Sequence, residues 1–213
     1  MAKKSILLVG AGGHCKASID VIEQIGEWQI AGIIDRQDSG VKTVLGYPVI
    51  GCDEDLPELR KQYDYALVTI GQIRLSEPRV RLFEQLKTLG YKQPGLVSPL
   101  AYVSQHAIIG AGTVVMHQAL VNAGAQIGQN GIINSQALIE HDVVIGDDCH
   151  IATGAKINGD VKIGRGCFIG SGVVIKQGVE LADNVMVGAG ALILNNITRS
   201  GCYVNQGRLL ETK

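Results

Sequence analysis

The sequence predicts an α/β domain with a small Rossmann-like parallel sheet over residues 1–95, then an all-β parallel β-helix of hexapeptide repeats over residues 96–213. Three observations carry that reading. Every sixth residue from Val97 to Ile193 is aliphatic: Val97, Val103, Ile109, Val115 and so on through Leu181, Val187 and Ile193, seventeen positions in register. Ahead of them, an apolar run feeds a glycine turn and then an apolar-periodic segment. Composition also changes along the chain. All five prolines (Pro48, Pro57, Pro78, Pro94, Pro99) precede residue 100, as do Trp28 and most of the tyrosines.

A fixed six-residue period is a repeat signature, and no helix of 3.6 residues per turn produces it. Each unit is read as a short strand and a corner, and three units make an 18-residue triangular coil. The periodic aliphatics point into the prism. Four residues after each one the chain is mostly small or β-branched, as at Ala101, Ala107, Thr113, Ala119 and Ala125. Glycine often follows directly, as at Gly110, Gly128, Gly146, Gly164, Gly170 and Gly188. One coil cannot bury its own core, so coils must stack, here five to six of them. Cys149 and Cys167 lie 18 residues apart and are expected as buried thiols stacked in adjacent coils.

In the first domain, Ser5–Val9 reads as a buried strand running into Gly10-Ala11-Gly12-Gly13-His14-Cys15-Lys16 and a helix with Ile19, Val21, Ile22 and Ile25 on its apolar face. Residues 30–34 read as a second strand with Asp35 at its end, residues 65–70 as a third ending at Gly71, and residues 78–89 as a helix stopping at Gly90. Strands alternating with helices argue for a parallel sheet, whose ligands bind beyond the carboxyl ends of the strands. The glycine loop, Asp35-Arg36 and Gly71 stand there. Glycines let backbone amides approach a phosphate at a helix N-terminus. The third glycine of the dinucleotide fingerprint is absent. The loop therefore reads equally as a nucleotide cradle or as tight packing, and about 90 residues is only half of a dinucleotide fold.

Net charge is −1 with no run of Lys or Arg, so no nucleic-acid partner is expected. No stretch is long enough for a membrane span. Met1-Ala2-Lys3-Lys4 leads into only five small or apolar residues, which does not read as a signal peptide. Five cysteines without a Cys-x-x-Cys pair suggest reduced thiols and a cytoplasmic protein. Cys15 beside His14 cannot make a metal site, and no metal is expected.

Histidines are few. His141 lies two residues after Ile139, and its neighbours one coil away are Ala123 and Gly159, which leave it space. Glu140 and Asp142 flank it, and a nearby carboxylate raises imidazole basicity. That suits a general base near neutral pH, although an ordinary solvated histidine fits the same pattern. His150 is placed at a corner of the next coil, and His106 and His117 show no evident polar partner.

These residues resemble a known family. Val9-Gly10-Ala11-Gly12-Gly13-His14-x-Lys16, the hexads and Asn134-Ser135-x-Ala137-x-Ile139-Glu140-His141-Asp142, continued by His150, Gly154-Ala155 and Gly159 and by Leu181-Ala182-Asp183, are similar to the bacterial sugar O-/N-acyltransferases of the sialic acid O-acetyltransferase type. Among these the chain looks closest to the nucleotide-sugar 4-amino N-acetyltransferases. The resemblance implies a left-handed β-helix, a homotrimer, and acetyl-CoA as co-substrate in a groove between subunits. It implies a nucleotide-linked amino sugar held by Gly12, Gly13, His14, Asp35, Arg36 and Gly71. It implies His141 as general base with Asp142 as its acidic partner. Asn134 and His150 then line the transfer site, and Gly159, Gly170, Ser171 and Ala189 contact the coenzyme. The implied role is acetylation of the C4 amine of a UDP- or GDP-linked 4-amino-4,6-dideoxy sugar, for lipopolysaccharide or another surface glycan or for a glycoprotein sugar. O-acetylation of sialic acid or a related nonulosonate and a non-catalytic sugar-binding β-helix scaffold are the rival readings. Two positions depart from the family pattern: Cys15 replaces a glycine, and Val204-Asn205-Gln206-Gly207-Arg208 lacks the usual proline.

Overall fold

In the computed structural model, residues 3–72, 77–205 and 208–209 are described. The chain divides into two compact units at Leu96/Val97. In the first, β1 (Lys4–Val9), α1 (Gly13–Ile25), β2 (Trp28–Ile34), β3 (Thr43–Val44), β4 (Tyr47–Gly51), α2 (Leu56–Leu59), β5 (Tyr65–Val68) and α3 (Glu77–Thr88) follow in order. The sheet order is β3-β4-β2-β1-β5. β1 pairs in parallel with both β2 and β5, and only the short β3 runs antiparallel to its neighbour. Central β1 reads Ile6-Leu7-Leu8-Val9 without alternation because helices cover both of its faces, and all four side chains are fully buried. The β3–β4 hairpin is an addition to the expected elements. Its turn, Leu45-Gly46, takes positive φ at both residues, as a two-residue hairpin loop requires. A leucine gives no sequence cue for that turn.

In the second unit seventeen short strands run from Leu96–Val97 to Leu192–Ile193, and every periodic aliphatic is the inward residue of one of them. We number the three faces of the prism by the order in which the chain reaches them. Face 1 holds the strands ending at Val97, Val115, Ile133, Ile151, Ile169 and Val187; face 2 those ending at Val103, Val121, Ile139, Ile157, Ile175 and Ile193; face 3 those ending at Ile109, Ile127, Ile145, Ile163 and Leu181. Strands pair in parallel with a register of 18, for example Ile133↔Ile151 and Ile139↔Ile157. One core runs through the prism, with Cys149 and Cys167 fully buried in it.

The corners follow a rule. The third residue after each aliphatic, from Gly112 to Gly190, has a left-handed backbone. Glycine fills seven of these positions. Gln118, Asn130, Gln136, Asp142, Asp148, Asp160 and Asn184 fill the others. Asn and Asp are the side chains that tolerate this region best, since their short polar groups bond locally. Asp142 is thus at once a turn residue and the neighbour of His141.

Ile151→Ala is expected to lower the unfolding free energy of the β-helix by about 2–5 kcal/mol, the cost of a core cavity. Ile108→Ala, on an outward and exposed position, should change it by less than ~0.5 kcal/mol. Urea denaturation of both variants checks the pair; equal losses would contradict the assigned inward register.

Candidate active site

Two clusters stand out in the β-helix. The first is at the corner between faces 2 and 3. His141 Nδ1 lies 2.9 Å from Asp142 Oδ2. The imidazole is half exposed, at 54% of its side-chain area, so a ligand can reach it. A carboxylate accepts and does not donate, so Nδ1 carries the proton and Nε2 is left as the basic nitrogen. The His141 pKa is raised above its ordinary value, first by the hydrogen bond to Asp142, which acts against the opposing desolvation, and then by the charges of Asp142, Glu140 and Asp160. Glu140 is itself held by Asn122 Nδ2, 3.0 Å away in the coil before. Beneath the ring is Gly159. A Cβ there would come within 2.7 Å of both His141 Cε1 and Nε2, so the bare backbone is what lets the imidazole lie flat across the next coil. Among the described residues the Gly159 N–H donates to no backbone acceptor.

The second cluster is at the corner between faces 1 and 2 and on the adjoining strand of face 1. Asn134 Oδ1 accepts the Ser135 N–H at 2.8 Å, which fixes the amide, and its Nδ2 lies 3.2 Å from His150 Nε2. His150 is an outward strand residue, 8% exposed, paired in the ladder with Ile132 and Phe168. This corrects its expected corner position: His150 begins the strand His150–Ile151. Gly170, Ser171 and Ala189 continue down the same corner as Asn134, one or two residues past face 1 strands. His117 lies on this corner too. It was expected to lack a polar partner, but its Nδ1 is 2.6 Å from Ser98 Oγ. His106 sits 3.2 Å from Gln105 Nε2.

The fold therefore does not gather all the expected residues at one place. His141, Asp142 and Gly159 share one corner. Asn134, Gly170, Ser171 and Ala189 share another, with His150 on the strand beside it. A whole side of the prism separates them, on the order of 15 Å for five strand-like residues at ~3.3 Å each.

In the first unit the expected residues do converge, at the carboxyl ends of three adjacent strands. Gly12 caps α1 and Gly13 begins it, and a Cβ on either would meet nothing within 4 Å. No acidic residue occupies the first turn of α1. Asp35 and Arg36 follow β2, and Gly71 follows β5 with His14 Cβ at 3.5 Å from its would-be Cβ. Gly10 needs its positive φ because its carbonyl turns to accept the buried Thr69 hydroxyl at 2.7 Å. Beside this row is an open cleft of about 330 Å³, lined by Asp35, Arg36, Lys42, Gly51, Cys52 and Asp55. Lys42, Gly51, Cys52 and Asp55 escaped the sequence reading because the β3–β4 hairpin that brings them there has no periodic signal. Asp55 is engaged, accepting from the Cys52 N–H at 2.9 Å and from its thiol, and these contacts lower its pKa. Hydrogen bonding to Glu54 first, and to Asp55 second, holds the Cys52 thiol protonated, pushed up to about 11.

Residues 5–86 match the PglD N-terminal domain, and residues 142–177 and 160–195 match the bacterial transferase hexapeptide (six repeats). Among solved structures, the acetyltransferase domain of PglB from Neisseria gonorrhoeae FA1090 is 32% identical, with 98% of this chain and 100% of that chain covered and a TM-score of 0.87. The chain belongs to the hexapeptide-repeat acetyltransferases. The same Neisseria domain in complex with acetyl coenzyme A aligns at 31% identity over 98% and 100% of the two chains, TM-score 0.89. PerB from Caulobacter crescentus in complex with CoA and GDP-perosamine aligns at 30% identity over 99% of each chain, TM-score 0.91. No curated protein sequence matches the chain. The acetyltransferase has no group of three or more His, Cys, Asp and Glu able to hold a metal ion, and no helix long and apolar enough to cross a membrane, among its described residues. The expected departure at the tail falls partly outside the described residues: residues 203–204 pair antiparallel with 208–209, and 206–207 are not described.

An NMR titration of the histidine side chains should place His141 above the ordinary histidine range. Asp142→Asn should lower that titration point, because removing the anion destabilises the imidazolium, and Glu140→Gln should lower it by less. No change in Asp142→Asn would refute the assigned cause.

Proposed function

We propose that the protein transfers the acetyl group of acetyl-CoA to the C4 amine of a nucleotide-linked 4-amino-4,6-dideoxy sugar. The observation that carries this is the half-exposed His141–Asp142 pair over Gly159, on a chain whose full-length relatives include a PerB complex with CoA and GDP-perosamine. The amine lone pair attacks the thioester carbonyl carbon and a C–N bond forms. The carbonyl oxygen takes the negative charge, and the Gly159 N–H, which has no backbone acceptor, is the donor assigned to it in this reading. His141 Nε2 removes the extra proton from the nitrogen, and Asp142 stabilises the imidazolium. The C–S bond then breaks, and the imidazolium returns its proton to the leaving thiolate. No acyl-enzyme is needed. The nucleotide belongs at Gly12, Gly13, His14, Asp35, Arg36 and Gly71. Arg36 supplies a guanidinium suited to a phosphate, and the first turn of α1 supplies open amides.

The two separated corners make sense in a homotrimer. Face 2 carries an outward ladder of Tyr102, Leu120, Leu138, Lys156, Val174 and Leu192, with Tyr102 60% exposed and Leu192 39%. Three chains with face 2 toward a common axis cover that ladder. The same arrangement sets the His141 corner of one chain against the Asn134 corner of the next, and closed rotational symmetry repeats the contact three times. Acetyl-CoA then lies between them, with Asn134 and His150 at the acyl end and Gly170, Ser171 and Ala189 further along. The product is an acetamido sugar for a lipopolysaccharide or other surface glycan, made in the cytoplasm.

Thiol release from acetyl-CoA should be strong with one of two acceptors, a UDP-4-amino-4,6-dideoxy sugar or GDP-perosamine. It should fall by ~10²–10⁴ in His141→Ala, the usual contribution of a general base. Turnover only with free sialic acid would move the reading to O-acetylation. Co-expressing His141→Ala with Asn134→Ala tests the trimer. Each variant alone should be nearly inactive. Random mixing gives an intact site with probability one half times one half, so about a quarter of wild-type turnover should return. No recovery would overturn the shared site.

A further inference from the structure

The glycine turn after β1 is held at one peptide. The Gly10 N–H donates to the Ile34 carbonyl at the end of β2, at 2.7 Å. The Gly10 carbonyl accepts the hydroxyl of Thr69, just past β5, also at 2.7 Å. The Thr69 N–H returns to the Val9 carbonyl at 2.8 Å. Thr69 is fully buried, so the Gly10 carbonyl is aimed into the protein. The peptide that follows is planar and trans, and in such a unit C=O and N–H point to opposite sides. The Ala11 N–H of that same peptide is therefore aimed outward, past the carboxyl ends of the strands. Ala11 is half-buried, and Gly12 and Gly13 are exposed. Among the described residues the Ala11 and Gly12 amides donate to no backbone acceptor. Thr69 has no part in the chemistry assigned so far. Its hydroxyl stands in an otherwise apolar row, Leu67-Val68-Thr69-Ile70, and a buried hydroxyl needs a partner, which Gly10 supplies.

We infer that Thr69 is a positioning residue for the acceptor's diphosphate: by holding the Gly10 carbonyl inward it turns the Ala11 N–H out, as the first donor of the anion cradle ahead of α1. This rests on the reading of the glycine loop as the nucleotide site. Loss of the hydroxyl acts twice. It leaves the Gly10 carbonyl without this donor in the interior, and it frees the peptide to rotate. A glycine offers little resistance to that rotation. A rotated peptide presents a carbonyl to the phosphate where an N–H stood, and attraction becomes repulsion. Thr69→Val keeps the branching at Cβ and removes the hydroxyl, so it isolates the hydrogen bond from the side chain's bulk.

The test titrates the intact protein calorimetrically with UDP, GDP, uridine and guanosine. The wild type should bind one of the two diphosphates. Thr69→Val should bind it about tenfold more weakly, the scale of one buried hydrogen bond, with little change for the parent nucleoside or for CoA. In turnover the KM of the nucleotide sugar should rise by the same factor, while kcat and the KM of acetyl-CoA hold. Thr69→Ser keeps the hydroxyl and should return the affinity. Wild-type diphosphate affinity in folded Thr69→Val would overturn the inference. So would equal losses for nucleoside and diphosphate beside a lowered melting temperature, the mark of a merely structural role. A wild type that binds CoA and neither diphosphate would instead strike the nucleotide reading. The ¹H–¹⁵N resonances of Ala11 and Gly12 in the ligand-free protein then decide the positioning by themselves. They should move in Thr69→Val and return in Thr69→Ser, and unmoved resonances would refute the role given to the hydroxyl.

Discussion

Everything in the second unit depends on one constraint: the chain must turn through a corner every six residues and return in register 18 residues later. The aliphatic residue fixes what points inward. The left-handed residue three positions on fixes where the chain turns. Neither is sufficient alone. A run of inward aliphatics without the corner conformation gives an extended strand, and corners without the aliphatics have no core to close on. A single coil leaves its upper and lower backbone groups unpaired, so the parallel hydrogen bonds between coils are what make each turn worth holding.

The same constraint builds the chemistry. A corner position that must be left-handed accepts Gly, Asn or Asp at little cost, and at residue 142 the choice is Asp. Its side chain, turned back by that backbone, meets the imidazole of the residue before it. The coil below must then be flat, and Gly159 makes it so. Three residues that look independent in the sequence are one consequence of stacking: a turn, the residue before it, and the position 18 later. The nearby carboxylates of Glu140 and Asp160 act in the same direction on His141, and the solvent around the half-exposed ring screens them.

How much of this could be read from the sequence differs between the two units. The period of six is long-range order written along a single line, so the inward face, the register and the stacked thiols Cys149 and Cys167 were all legible. The left-handed corner rule is written there too, in the Gly, Asn, Asp and Gln residues three past the aliphatics from Ile109 to Val187, but the glycines that directly follow many of those aliphatics mask it. What the period could not tell is which corner a residue occupies relative to the others. Asn134 and His141 are seven residues apart, and motif reading sets them side by side; the triangle sets them on different edges. In the first unit the strand–loop–helix order was visible through apolar runs. The β3–β4 hairpin was not, because a two-residue strand has no period and its turn uses Leu45 where the backbone prefers Gly or Asn.

The separation of the corners bears on why the proposed trimer would form. A β-helix closes its own core, so it has no thermodynamic need of a partner for its inward residues. Its outward residues are another matter. An outward strand position on a solvated face is normally polar, yet face 2 offers Tyr102, Leu120, Leu138, Val174 and Leu192 with Lys156 among them. A face selected only for solubility would not keep that composition. One that is covered by its own copies would, and covering it by three-fold symmetry sets two different edges together at each contact. Each edge then evolves under its own demand. In the proposed trimer the His141 edge, with Asp142 and Gly159, serves proton transfer. The Asn134 edge, with small residues such as Gly170 and Ala189, would then take the long flexible coenzyme. Had both sets of residues crowded onto one corner, the bare backbone that admits the imidazole and the groove that admits the coenzyme would have competed for the same few positions in each 18-residue turn.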